Sequence, residues 1–234
     1  MGSILEALSP EQQIACSTQN NILLTACPGS GKTRTLTHRL AYQVLRDPAS
    51  KKIKIAITYT NRAAEEITNR LEGMNIDQSS IWAGTIHQFC MHFIIRPYAM
   101  YSKRLCKGYR IIDDYSKKAY GREIAERLGM HLNYYDDPFQ YENVRTEYKR
   151  VLKEKKEIDF DAILLISEEL LASCALIGSN IASVISSILV DEFQDTNELQ
   201  YSILSTIYKA NKSIILMFVG DVNQAIYSSL GGVA

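Results

Sequence analysis

Residues Ile22-Leu23-Leu24-Thr25-Ala26 form a short apolar run that passes directly into Cys27-Pro28-Gly29-Ser30-Gly31-Lys32-Thr33 and then into a helical stretch reaching about Arg46. No other feature restricts the fold of this chain as much. A buried strand, a glycine-rich turn and a helix in immediate succession open a strand–helix–strand unit, and such units build parallel sheets. Gly29 and Gly31 let the backbone curl so that successive N–H groups converge on one point. The start of the helix adds partial positive charge there. A turn of this kind suits phosphate oxygens: Pro28, Gly29, Ser30 and Gly31 form the cradle, Lys32 reaches the β- and γ-phosphates, and Thr33 offers its hydroxyl to Mg²⁺. Ala26 stands where the general phosphate-loop pattern has glycine, but the two turn-forming glycines remain. An ordinary glycine-rich turn with a surface lysine would not explain the strand and helix on either side.

The remaining pattern agrees with that opening. Ile53–Thr58, Ile81–Thr85, Ser187–Val190 and Ile214–Val219 read as further strands. They are continuous apolar runs rather than alternating ones, as expected for strands covered on both faces. Asn61 is expected to cap a helix whose Ala63, Ala64, Ile67 and Leu71 recur at helical spacing, with Glu66 and Arg70 as a supporting pair. From about Tyr98 to Glu157 the chain is rich in Tyr, Lys, Arg and Asp, shows no clear strand, and carries helical stretches at Tyr115–Leu128 and Tyr141–Lys156. The expected fold is α/β, a parallel sheet with helices on both faces formed by residues 1–97 and 158–234, with 98–157 as an inserted helical subdomain.

Two strands end in polar residues. Ile188-Leu189-Val190 runs into Asp191-Glu192-Phe193-Gln194-Asp195, and ligands of open α/β sheets bind outside that end of the strands. Asp191 is placed to hold the Mg²⁺ shell and Glu192 to take a proton from the water attacking a γ-phosphate. Acids at a strand end are a weak signal alone; downstream of a phosphate loop they become specific. Phe218-Val219 runs into Gly220-Asp221-Val222-Asn223-Gln224-Ala225-Ile226-Tyr227, where Gln224 is expected to meet the γ-phosphate or its water. Tyr227 would present a ring to a base, although a core tyrosine in a turn explains it equally well.

Composition excludes several classes. Lys+Arg and Asp+Glu both total 26, so the chain is not a basic nucleic-acid coat, and any such contact must be local. The five cysteines have no C-x-x-C spacing, which argues against a zinc site or a disulfide framework. The first ten residues lack signal-peptide character, and no apolar run is long enough to span a bilayer, so a cytoplasmic location without membrane contact is expected. The lone Trp82 is expected in the core, and His38, His92 and His131 lack ligand-spaced partners. The basic run of Arg145, Lys149, Arg150, Lys153, Lys155 and Lys156 reads better as a solvated helix face, balanced by Glu147, Glu154 and Glu157, than as a phosphate-contacting strip.

Taken in order, these segments resemble the N-terminal part of UvrD/Rep/PcrA-type superfamily I helicases. Leu8-Ser9-Pro10-Glu11-Gln12 resembles the Q-motif, which implies that Gln12 reads adenine. Gly29 to Arg34 matches motif I, and Ala26 is common there; the resemblance implies that Arg34 stacks on the base. Thr58-Tyr59-Thr60-Asn61-Arg62-Ala63-Ala64 resembles motif Ia and Gly84-Thr85-Ile86-His87 motif Ib. The implied single-stranded DNA contacts are therefore Tyr59, Thr60, Asn61, Thr85, His87 and, with motif III at Gly220 to Tyr227, Tyr227. Asp191 to Asn197 matches motif II closely. Asp159-Phe160-Asp161 resembles the helix that returns from the accessory domain.

The resemblance implies a RecA-like P-loop NTPase motor domain using ATP and Mg²⁺, with Lys32, Glu192 and Gln224 catalytic. It further implies an ATP-dependent DNA helicase or translocase, of the kind that serves DNA repair and related pathways, with nuclease or repair partners unspecified. Motifs IV to VI, which lie in a second motor domain of the family, are absent from these residues, so the chain alone is expected to hydrolyse ATP very slowly. Ser229 stands where the family commonly has an aromatic residue; one base-stacking platform, worth roughly 1–3 kcal/mol per base, is missing. A regulatory module that binds ATP and DNA without turnover is the competing class, and the intact Lys32, Thr33, Asp191, Glu192 and Gln224 argue against it. A small-molecule kinase would share Lys32 and Thr33 but would not explain Asp191 to Asn197.

Overall fold

A computed structural model of the chain describes residues 2–25, 27, 29–133 and 135–221. In chain order its first elements are α1 (Gly2–Leu5), α2 (Pro10–Ser17), β1 (Ile22–Thr25), α3 (Lys32–Arg46), β2 (Ile53–Thr58), α4 (Asn61–Gly73), β3 (Ile81–Thr85) and α5 (Ile86–Phe89). A π-helical turn, Cys90–Ile95, leads to α6 (Arg96–Tyr98), β4 (Arg110–Ile111), α7 (Asp114–Arg127), α8 (Glu142–Lys155), β5 (Glu157–Ile158) and α9 (Phe160–Ser173). The described chain closes with α10 (Ala175–Ser183), β6 (Ile185–Asp191), α11 (Glu198–Ala210) and β7 (Ile215–Gly220). Two compact units result, residues 1–89 with 171–234, and residues 90–170.

The first unit is an α/β sheet of five strands in the order β1-β7-β6-β2-β3. Every pairing is parallel. Parallel pairing puts the C-terminal ends of all five strands along one edge of the sheet. The inner strands β2 and β6 are buried almost throughout, whereas the edge strand β1 alternates between half-buried and exposed positions. That difference explains why the inner strands read as unbroken apolar runs. One face of the sheet is closed by α3 and α4: Leu36, Leu40, Ala41 and Val44 meet Ile67 and Leu71 over Ala56, Leu189, Met217 and Val219. Truncating a fully buried leucine such as Leu40 to alanine would cost about 2–5 kcal/mol.

The strand and helix boundaries expected from sequence hold to within two residues, and Glu66 and Arg70 form their ion pair. Two local expectations need correction. Thr60, not Asn61, is the N-cap of α4: its hydroxyl accepts from the Ala63 N–H at 3.2 Å, and Asn61 is the first helical residue. Both residue types cap well, and Thr60 holds the extended backbone that the cap position requires. Trp82 is only half-buried, because it lies on the edge strand β3, where its ring packs edge-on against Phe89 and covers Gly84.

In the second unit, α7 and α8 pack through Ile124, Ala125, Val144, Tyr148 and Leu152. Gly121 sits in mid-helix because a Cβ there would come within 2.9 Å of the Phe139 ring. The unit also holds a ladder absent from the sequence reading: β4 and β5 pair in parallel over two residues each, with Arg110 opposite the buried Glu157 and ion-paired to it. Segments this short carry no periodicity. Along α8, Arg145 pairs with Glu142, and Arg150 with Glu147 and Glu154. The ammonium of Lys155 lies 4.0 Å from the centroid of the Tyr120 ring. The arginines of the basic run are thus occupied within their own helix, and Tyr148 is buried rather than offered to solvent.

Candidate active site

The turn between β1 and α3 is bent at two glycines in the left-handed region, Gly29 at φ 78° and Gly31 at φ 83°. Gly31 is the N-cap of α3 and supplies no side-chain acceptor to the first turn of the helix. The first i→i+4 bond closes only at the Thr35 N–H, which donates to the Gly31 carbonyl at 2.9 Å. Pro28 lies outside the described residues.

Lys32 is buried at the first position of α3. Beside it, the Thr33 hydroxyl donates to Asp191 Oδ2 at 2.9 Å. Asp191 is the last residue of β6 and 5% exposed. Burial pushes its carboxyl above the usual range, and the charge of Glu192 adds to that; the Thr33 hydrogen bond and the nearby Lys32 pull it down. A buried acid partnered by a hydroxyl is a donor set suited to a hard divalent cation that takes oxygen ligands, such as Mg²⁺. The two residues expected to share that ion are therefore in contact.

Glu192 follows in the left-handed conformation, φ 51° and ψ 50°, which is uncommon for a residue with a side chain. Its carboxylate accepts from Gln194 Nε2 at 2.7 Å. Asp191, Glu192 and Asp195 form one side of a cavity of about 340 Å³ whose lining also includes Tyr59, Thr85 and His87. Tyr59 is 68% exposed, at the end of β2. Thr85 ends β3, and its N–H donates to Gln88 Oε1 at 2.9 Å. Thr60 and Asn61 are exposed at the start of α4 and do not line the cavity. Gln224 and Tyr227 lie outside the described residues.

The N-terminal segment meets the phosphate loop. Ser9 and Gln12 form a capping box on α2, with Gln12 Oε1 accepting from the Ser9 N–H at 3.1 Å. The other end of the same carboxamide, Gln12 Nε2, donates to the Ser30 carbonyl at 3.1 Å. Arg34 Nη2 donates to the Ala7 carbonyl at 2.9 Å. Both residues expected at adenine thus also fasten the N-terminal segment to the loop. From within α3, fully buried Arg39 adds a third fastening, donating to the carbonyls of Ala15 and Asn20.

Sequence reasoning gave no role to Gln194, Gly220 or Arg39. Gly220 carried the only signal: a glycine ending a buried strand marks a close approach. Here a Cβ would fall within 3.0 Å of both Gln194 Oε1 and the Phe193 ring.

Comparison with known proteins agrees with this arrangement. An AAA domain family model matches residues 11–230. The ATP-dependent DNA helicase PcrA of Leuconostoc citreum is 28% identical over 245 residues, covering 92% of this chain and 32% of the relative. DNA helicase II of Escherichia coli (strain K12) is 28% identical over 257 residues, covering 97% of this chain and 35% of the relative. PcrA of Staphylococcus aureus (strain Mu50) is 27% identical over 261 residues, covering 99% and 35%. The chain spans about a third of the length of these relatives and matches their N-terminal part. A phosphate loop joined to an acidic strand end on a parallel sheet, and a family match running almost the whole length, lead to one assignment: the chain belongs to the AAA domain family.

Proposed function

We propose that this chain is the ATP-hydrolysing part of an ATP-dependent DNA helicase or translocase that acts on single-stranded DNA inside the cell. The observation that carries the reading is the cavity shared by Glu192 and Asp191 with Tyr59, Thr85 and His87. Groups suited to phosphate chemistry and groups suited to a nucleic-acid strand border one space. In this reading the N–H groups at Gly29–Thr33 and the Lys32 ammonium hold the phosphates of ATP. Gln12 and Arg34 hold the adenine end, and Gln224 meets the γ-phosphate. Thr33 and Asp191 hold Mg²⁺, which when bound neutralises charge on the phosphate oxygens. Glu192 accepts a proton from the water that attacks the γ-phosphorus; the bond to the bridging oxygen breaks, and ADP and inorganic phosphate leave. Tyr59, Thr60, Asn61, Thr85, His87 and Tyr227 contact the DNA strand, with Tyr59 offering its exposed ring to a base. Residues 98–157 form the accessory subdomain.

The test is ATP turnover by the whole protein carrying these residues, with and without single-stranded DNA, beside its Glu192→Gln variant. DNA-stimulated turnover lost in the variant supports the motor reading. Binding of ATP and DNA without turnover in the unaltered protein would replace it with a regulatory module.

A further inference from the structure

Gln194 is buried in the single 3₁₀ turn that follows Glu192, Phe193–Asp195. Its carboxamide is used at both ends. Nε2 donates to Glu192 Oε2 at 2.7 Å, and Oε1 accepts from the Asp221 N–H, in a buried position, at 3.1 Å. Asp221 directly follows β7, so the second bond is anchored at the end of the sheet. Gly220 makes the approach feasible, since a Cβ there would collide with Oε1 of this same glutamine. Glu192 needs such a support. Its backbone sits in the left-handed region, its side chain has three rotatable bonds, and it borders an open cavity.

We infer that Gln194 is a positioning residue for ATP hydrolysis: it fixes the Glu192 carboxylate against the end of β7, and this inference rests on the reading of Glu192 as the base. A glutamine meets the requirement because one end of its side chain donates while the other accepts, at a fixed separation. Glutamate keeps the acceptor facing Asp221 but sets a second carboxylate against Glu192. Methionine keeps the length and volume of the side chain and loses both bonds. Nothing in the role touches ATP, so its loss is read in turnover and not in binding. Displacing a reacting group by about 1 Å is enough to slow a reaction by roughly 100-fold.

The experiment measures steady-state ATP turnover of the whole protein in saturating single-stranded DNA for the unaltered form, Gln194→Met, Gln194→Glu, Glu192→Gln and the double variant Glu192→Gln/Gln194→Met, with a thermal melt of each. The expected result is a kcat lower by roughly 10- to 100-fold in Gln194→Met, with KM for ATP changed less than about twofold. Gln194→Glu loses at least as much. In the Glu192→Gln background, adding Gln194→Met changes the residual rate by less than about twofold, because a residue that acts only through Glu192 has nothing left to position. Full kcat in both single variants at Gln194, while Glu192→Gln is inactive, would overturn the inference and leave the base assignment standing. A raised KM, or a loss that multiplies in the double variant, would also overturn it by showing a role in binding or packing. Intact turnover in Glu192→Gln removes the base assignment and the inference together.

Discussion

The Thr33 hydroxyl and the Asp191 carboxylate are joined at 2.9 Å across 158 residues of chain, which ties the start of α3 to the end of β6. An ion held by this pair must take over the hydrogen bond. Asp191→Asn keeps the shape but removes the charge. We predict that it weakens binding of a fluorescent ATP analogue at least about tenfold in Mg²⁺, roughly 1.4 kcal/mol. In excess chelator, affinity should be unchanged. An equal loss under both conditions would mean that Asp191 acts on the fold and not on the ion.

Gly220→Ala tests the close approach at the end of β7. The added methyl meets the Phe193 ring and the Gln194 carboxamide, both packed against it. Overpacking of this kind costs about 1–3 kcal/mol. In a chain of this size that lowers the melting temperature by about 2–4 °C per kcal/mol. Gly73→Ala, at the end of α4 with nothing within 4 Å of the added atom, should be neutral or slightly stabilising. Equal melting of the two variants would contradict the packing described at Gly220.

Thiol labelling gives a third check. Cys27 and Cys106 are exposed, and Cys174 is half-buried. Burial pushes the thiol of Cys16 up to about 11 and that of Cys90 up to about 12, so neither forms a reactive thiolate at neutral pH. A disulfide reagent at pH 8 should therefore modify two thiols quickly and reach Cys16 and Cys90 only on unfolding. MgATP should slow labelling of Cys27, which lies in the phosphate loop, and should leave Cys106 unaffected. Protection of neither would count against the nucleotide site.

His38 makes a prediction about acid. Burial holds its imidazole below the usual histidine range, with the neighbouring Arg34 and Arg70 charges adding to the effect; the contact of Nδ1 with the Arg34 carbonyl at 2.8 Å opposes it. The folded value is thus lower than the unfolded one. Well above about pH 6.5 both states are neutral and the ionisation of His38 contributes nothing to stability. As pH falls below that, the unfolded chain takes up the proton first and stability is lost, until the pH reaches the lower folded value. The difference in melting temperature between the unaltered protein and His38→Gln should change between pH 7.5 and 5.5. A constant difference would refute the assignment.

How much of this was legible in the sequence depended on whether the determining contact was local. The loop at Gly29–Thr33 could be read directly, because the strand before it and the helix after it are contiguous with it. Asp191 and Glu192 could be read from the apolar run that ends in them. The cap of α4 was misplaced by one residue because Thr60 and Asn61 are both good caps and only the backbone decides between them. The ladder of Arg110 with Glu157 joins positions 47 residues apart and leaves no local trace. Gln194 was invisible as a support for the same reason: its anchor, the Asp221 N–H, lies 27 residues further on.

The register of β2 has a consequence for how such a chain tolerates changes of length. Ala56 lies level with Ala83 of β3 on one side and with Leu189 of β6 on the other. The alignment of β3 with β6 is therefore set by β2, and the number of residues between Phe89 and Leu171 does not enter into it. A single residue gained inside β6 is a different matter. It would carry Asp191 about 3.3 Å along the strand and turn it to the opposite face, away from Thr33.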